Sequence, residues 1–168
     1  MKRISISIIK AYVLHDIDSI TYKRVDGVMS AESDSVRNAL SSDSEEPLDE
    51  CLLQRYMEGR DAQLRAKLSF CIARDKDEDL NVTNAPLRDE ESFDFVLDAP
   101  DHFGKDTVKA LAQKIHKYFV DGCAYDWYTR QGVEYSVGYE ELNQMLSEIA
   151  VSLRKPFVKR PLQPFGPR

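Results

Sequence analysis

Residues 75–81, Asp75-Lys76-Asp77-Glu78-Asp79-Leu80-Asn81, come nearest to a metal site, with carboxylates alternating as at the start of a calcium loop. Such a loop needs glycine at its sixth place and a bidentate Glu at its last, and those places hold Leu80 and Pro86. The run therefore reads as solvated charge. His15, Asp16 and Asp18 offer ligand atoms, but on a helix the neighbours at i+1 and i+3 share no chelating face with His15. His102 and His116 have no partner at ligand spacing, and a zinc or iron site wants three convergent ligands. Cys51, Cys71 and Cys123 are far apart, each inside an apolar helical pattern, which reads as buried free thiols in a reducing compartment. No Gly-x-Ser-x-Gly and no glycine-rich phosphate loop occurs, since the seven glycines are scattered singly. Asp126-Trp127-Tyr128 places the only tryptophan beside a second aromatic, and the spacing predicts that Trp127 closes a core while Tyr128 points outward. The expectation is no catalytic residue, no cofactor, no metal, and a protein that is not an enzyme.

The elements that position these residues are easier to read. Val108, Leu111, Ala112, Ile115, Tyr118, Phe119, Gly122, Cys123 and Trp127 recur at three and four, with Lys105, Lys109, Lys114, Lys117 and Asp121 mostly off the stripe. Tyr139, Leu142, Met145, Leu146, Ile149 and Leu153 repeat the pattern, and Thr129-Arg130-Gln131-Gly132 stops the first helix with glycine at the left-handed C-cap position. Two amphipathic helices so closely joined predict a long antiparallel hairpin over 105–153. Upstream, Ser5 and Ser7 alternate with Ile4, Ile6 and Ile8, a half-buried strand. Ile9, Val13, Ile17 and Ile20 then predict a helix from about Lys10 to Tyr22, closed by Gly27. Residues 28–44 read as a surface loop with one possible helical turn at 35–40.

Ser42-Asp43-Ser44-Glu45-Glu46-Pro47 is a helix start, and Leu48, Leu52, Leu53, Tyr56, Met57, Leu64, Leu68 and Ile72 carry that helix to about Ala73. Gly59 and Ala62 interrupt its large residues and predict a close helix approach. Arg74 to Glu91 reads as a charged excursion, and Phe93, Phe95 and Leu97 as a second strand. The two strands pair most simply with each other, and so small a ribbon needs helices beneath it or a neighbouring subunit beside it. The expected fold is mainly α with a small β ribbon (α+β): a three- to four-helix bundle, residues 1–153, with an extended C-terminal arm, residues 154–168.

The arm holds four of the seven prolines and cannot be helical. Its Arg154, Lys155, Lys159, Arg160 and Arg168 give it +5, so in a chain of net charge −6 the other residues carry −11. A basic arm on an acidic body suits docking on another copy better than wrapping nucleic acid, which wants a broad basic face. Arg154, Lys155, Phe157, Lys159, Arg160, Leu162 and Phe165 are the expected protein interface, the cations meeting acids and the apolar residues anchoring. Nucleic acid is left a channel or weak contacts with the arm. No apolar run is long enough to span a bilayer, and the N-terminus lacks the features of a signal peptide, so a soluble, cytoplasmically made protein is expected.

The order of parts resembles small proteins from the structural gene modules of tailed bacteriophages and prophages, of the head–tail connector or neck class. The matching features are Ile4-Ser5-Ile6-Ser7 with the Val13-to-Tyr22 helix, the acid-capped helix from Pro47, and the Phe93-to-Leu97 strand. The long helix ending in Asp126-Trp127-Tyr128, then Leu153-Arg154-Lys155-Pro156 and Arg160-Pro161, complete it. The resemblance implies a subunit without catalytic residues that assembles with itself into a ring and bridges portal or capsid to tail subunits. It would form in the cytoplasm of the bacterial host and reside in the virion. Two other readings stand beside it: a bacterial adaptor or regulatory module that binds a protein through the hairpin, and a small enzyme with a site of scattered residues.

Overall fold

The alternation of serine and isoleucine does make a strand. β1 spans Lys2–Ile9, with Ile6 and Ile8 buried and Ser5 and Ser7 exposed. β2 spans Ser92–Ala99 and buries Phe93, Phe95, Leu97 and Ala99. The two run antiparallel with Ile4 opposite Leu97, Ile6 opposite Phe95 and Ile8 opposite Phe93, so both put their apolar side chains on one face. The structure, a computed structural model, describes residues 2–28, 47–73 and 91–154, with side chains described at 2–20, 52–73 and 91–154. The sequence readings at 29–46 and 74–90, the Cys51 thiol and the arm from Lys155 onward lie outside those residues.

Hydrogen bonds fix which way each strand residue turns its backbone. On the side of β2 away from β1, Ala73 N–H donates to the Val96 carbonyl at 2.9 Å and Asp98 N–H to the Cys71 carbonyl at 2.7 Å, setting Ile72 opposite Leu97. Val96 and Asp98 thus face away from β1, and the hydrogen-bonded pairs are Ile4–Leu97, Ile6–Phe95 and Ile8–Phe93. Lys10 N–H, donating to Glu91 at 3.0 Å, continues that alternation. In β1 it is therefore Arg3, Ser5 and Ser7 whose N–H and C=O point to the outer edge. That edge meets no backbone partner among the described residues.

Among the described residues four helices complete a mainly helical α+β fold: α1 Lys10–Val28, α2 Pro47–Lys67, α3 Lys105–Arg130 and α4 Tyr139–Leu153. α3 touches α1, α2, α4 and β1. Phe119 of α3 stacks on Phe93 at 5.2 Å between centroids and meets Phe95 edge-on at 6.5 Å, joining helix to sheet. α3 ends as its sequence predicts. Gly132 takes φ +70, its N–H bonds the Thr129 carbonyl, and Val133 N–H bonds that of Tyr128.

Three expectations need correction. α2 stops at Lys67 instead of reaching Ala73, because Cys71 and Ala73 give their backbone groups to the edge of β2. α1 runs through Gly27 to Val28, past Tyr22. The close approach predicted at Gly59 is absent there, since a Cβ on Gly59 would meet nothing within 4 Å. It occurs at Gly122, where a Cβ would lie 2.8 Å from Arg60 Nε and 2.9 Å from Arg60 Cδ.

The two glycines should therefore respond oppositely to alanine. Gly59→Ala is expected to stabilise by about 0.5–1 kcal/mol, the ordinary gain at an exposed helix position. Gly122→Ala is expected to destabilise by about 1–3 kcal/mol through overpacking against a fixed arginine. Urea unfolding midpoints of both variants measure the difference in sign.

Candidate functional site

Gly122 leaves room for a charged group to enter the helix packing. Arg60 of α2, only 5% exposed, donates from Nε to Asp126 Oδ2 at 3.0 Å and from Nη2 to Asp126 Oδ1 at 2.5 Å, a two-pronged bond across to α3. Its Nη1 donates to Gln63 Oε1 at 3.2 Å, and the Tyr118 hydroxyl donates to the same oxygen at 3.0 Å. Burial alone would lower the guanidinium's proton affinity, but the bond and charge of Asp126, with Tyr118, outweigh it and raise it above the ordinary value. Burial pushes the Tyr118 hydroxyl up as well, against the pull of Arg60. The cluster is a closed set of donors and acceptors that holds α2 to α3.

The cysteines near this core are not poised for chemistry. Burial pushes the Cys123 thiol up to about 12 and the Cys71 thiol up to about 11, with the charge of Asp98 adding to the latter. Both are free and stay protonated at neutral pH, which suppresses nucleophilic attack. Among the described residues no group of three His, Cys, Asp or Glu side chains is placed to hold a metal ion, and no helix is long and apolar enough to cross a membrane.

Tyr128 does not point outward. It is 1% exposed, lies edge-on to Trp127 at 5.1 Å and stacks on Tyr135 at 5.2 Å with the rings 9° apart. The connection between α3 and α4 folds Tyr135 back over the helix end, a long-range covering that helical spacing does not encode. Asp16 and His116, which share no sequence neighbourhood, meet at 2.7 Å and tie α1 to α3. His15 remains exposed.

Beside α3 lies a groove of about 590 Å³, lined by Lys114 and Lys117 of α3, by Ser136 and Val137 of the connection, and by residues of α4. Its α4 wall mixes apolar Met145 and Ile149 with Glu141 and Glu148. Lys114 Nζ is 3.8 Å from Glu148. Nearby, Asp121 is 6% exposed rather than on the solvent side of α3. The Tyr135 hydroxyl donates to its Oδ1 at 3.3 Å, while Oδ2 is buried with no partner among the described residues. Burial raises its carboxyl above the usual range and Glu141 adds to that, while Lys117 and Tyr135 work the other way. A helical step was the available signal: Asp121 stands three past Tyr118 and four before Tyr125.

Of the expected interface residues the described structure places only Arg154, exposed at the end of α4 with its guanidinium 5.6 Å from the Phe70 ring centroid. Phe70 is itself 50% exposed. Lys155, Phe157, Lys159, Arg160, Leu162 and Phe165 lie outside the described residues. Compared with protein-family models, curated proteins and solved structures, the chain matches none.

Two tests follow from the buried charges. Asp126→Ala leaves the Arg60 guanidinium buried without its carboxylate and is expected to cost about 3 kcal/mol, whereas Arg60→Met combined with Asp126→Leu should recover most of that loss. A double-mutant cycle in urea reads the coupling. For Asp121 the folded carboxyl binds its proton more tightly than the unfolded one, so stability falls as pH rises from about the ordinary value of 3.8 upward. Asp121→Asn removes that loss. Its stability relative to the parent should grow as pH rises from about 3.8 to neutrality, and a difference that stays flat with pH would reject the buried charge as the cause.

Proposed function

We propose that the chain is a structural subunit of the head–tail connector or neck class of a tailed-phage-like particle, acting by assembly with copies of itself. The observation that carries this reading is the division of charge: +5 on residues 154–168 against −11 on the remainder. Opposite charges on separate parts of one chain satisfy each other between copies, and a head-to-tail contact of that kind closes into a ring. The helices act as a three- to four-helix bundle, with α3 and α4 as its antiparallel hairpin, and the arm leaves from the end of α4. Phe157, Leu162 and Phe165 anchor the arm on the neighbour, and Arg154, Lys155, Lys159 and Arg160 meet its acids.

The groove beside α3 offers the matching surface. Glu141 and Glu148 stand at its α4 wall beside Met145 and Ile149, across from Lys114 and Lys117 of α3, so an arm with alternating cations and apolar anchors finds both kinds of partner along the α4 wall. Portal, capsid or tail subunits are the larger partners such a ring would bridge, with assembly in the bacterial host cytoplasm and residence in the virion. The same groove favours a second reading, an adaptor that takes a segment of another protein there. A chain that stays monomeric at every concentration and still binds a basic, proline-containing peptide would mark that alternative.

Removing residues 156–168 is expected to lower the mass seen by light scattering while circular dichroism keeps the parent's helix content. An unchanged mass would reject the arm as the assembling element. Reversing Glu141 and Glu148 to Lys in the full chain should lower the mass in the same direction, since like charges would then face the arm.

A further inference from the structure

The segment Ile4-Ser5-Ile6-Ser7-Ile8 reads the same in both directions. It forms the middle of β1, the strand whose outer edge presents the N–H and C=O groups of Arg3, Ser5 and Ser7 without a backbone partner among the described residues. We propose that a second copy of this chain docks on that edge, its β1 lying antiparallel to β1, so that two small sheets become one sheet of order β2-β1-β1-β2. A contact between identical strands about a two-fold axis must be self-complementary, and a palindromic strand supplies that. Strand addition of this kind takes its strength from main-chain hydrogen bonds and its register from side chains on alternate positions.

One register fits all of these constraints. Outward-facing residues must oppose outward-facing residues, and centring the pair on Ile6 achieves this over the whole strand. Arg3 then faces the partner's Ile9, and Ser5 faces the partner's Ser7, each pairing occurring twice. On the buried face Ile4 comes opposite the partner's Ile8, and Ile6 opposite its own equivalent, so the isoleucine layer runs unbroken across the axis. Ile4, only partly buried within one copy, and Ile9, 41% exposed, both gain cover. On the other face the opposed serines are too small to obstruct the approach.

The ends are compatible. Lys2 comes opposite the partner's Lys10, but neither ammonium is aimed across the axis. Lys2 Nζ donates to the Phe103 carbonyl at 3.4 Å, and Lys10 Nζ sits 4.8 Å from the Phe93 ring centroid. β1 contains no proline, and its one cation turned toward the outward face, Arg3, lies 3.9 Å from Asp98. The devices that usually blunt an edge strand are thus slight here. The inference is independent of the phage reading and of the arm.

Sedimentation equilibrium of the full chain tests it through a pair of charge variants at exposed positions. Ser5→Lys/Ser7→Lys puts like charges opposite each other at both pairings and is expected to halve the mass. Ser5→Lys/Ser7→Glu puts opposite charges there and is expected to keep the parent's mass, an outcome specific to the register centred on Ile6. Amide exchange on the unaltered chain gives a second measure: Ser5 and Ser7 should exchange at least tenfold faster on dilution to monomer, while Ile6, bonded to β2, should not. Retention of the parent's mass by the Lys/Lys variant, or Ser5 and Ser7 amides that exchange at one rate over all concentrations, overturns the proposal. Removing residues 156–168 should leave the protection of Ser5 and Ser7 intact, which separates failure of this contact from failure of the arm.

Discussion

One helix has to be covered on nearly every side. From Tyr118 to Ala124 each residue of α3 is buried, and Trp127 and Tyr128 extend the enclosed stretch to its last turn. A helix with an apolar stripe needs one partner, but a helix enclosed all round needs several. α1, α2, α4 and β1 all contact α3. The small sheet is stable in that setting because α3 supplies what two strands lack, an apolar layer against which Phe93 and Phe95 can pack.

Enclosure of this stretch brings polar groups of α3 against other elements, and the chain handles two of them differently. Asp126 is matched by a two-pronged arginine that enters over a glycine, so its charge is compensated where it lies. Among the described residues Asp121 is matched on one oxygen alone. The first arrangement fixes the seating of α2, because the guanidinium fork accepts few geometries. The second is a standing cost that hydrophobic packing around it must offset.

Much of this architecture could be read in the sequence because it is local. The Ile/Ser alternation of β1, the helical stripes of α3 and α4 and the glycine stop at Gly132 depend on near neighbours, and the structure places each where the spacing predicts, save that Tyr139 at the start of the α4 stripe is 60% exposed. What spacing missed depends on contacts between distant segments. Tyr128 is buried because Tyr135 folds over it, and α2 ends early because the edge of β2 takes its last residues. Asp121 falls off the apolar stripe by spacing, and only the presence of α4 and its connection makes that side interior. Gly59 and Gly122 look alike in sequence; which one admits a neighbour depends on where Arg60 lies. The candidate interface was legible only as charge and proline content, since a docking surface is defined by its partner.

The two surfaces proposed for assembly obey different symmetries, and that limits what can be built from them. A palindromic strand edge is used up once a second copy has paired with it, so it stops at two. A basic arm that docks in the groove on the next copy leaves its own groove and the neighbour's arm open, so it propagates until a rotation closes it. Used together, the head-to-tail contact would close each ring and the strand edge would join rings across two-fold axes, giving two layers facing each other rather than one. β1 and α4 each contact α3. Small sheets that depend on a helix for one face still have an edge to settle, and identical neighbours are the partners always present at matching concentration.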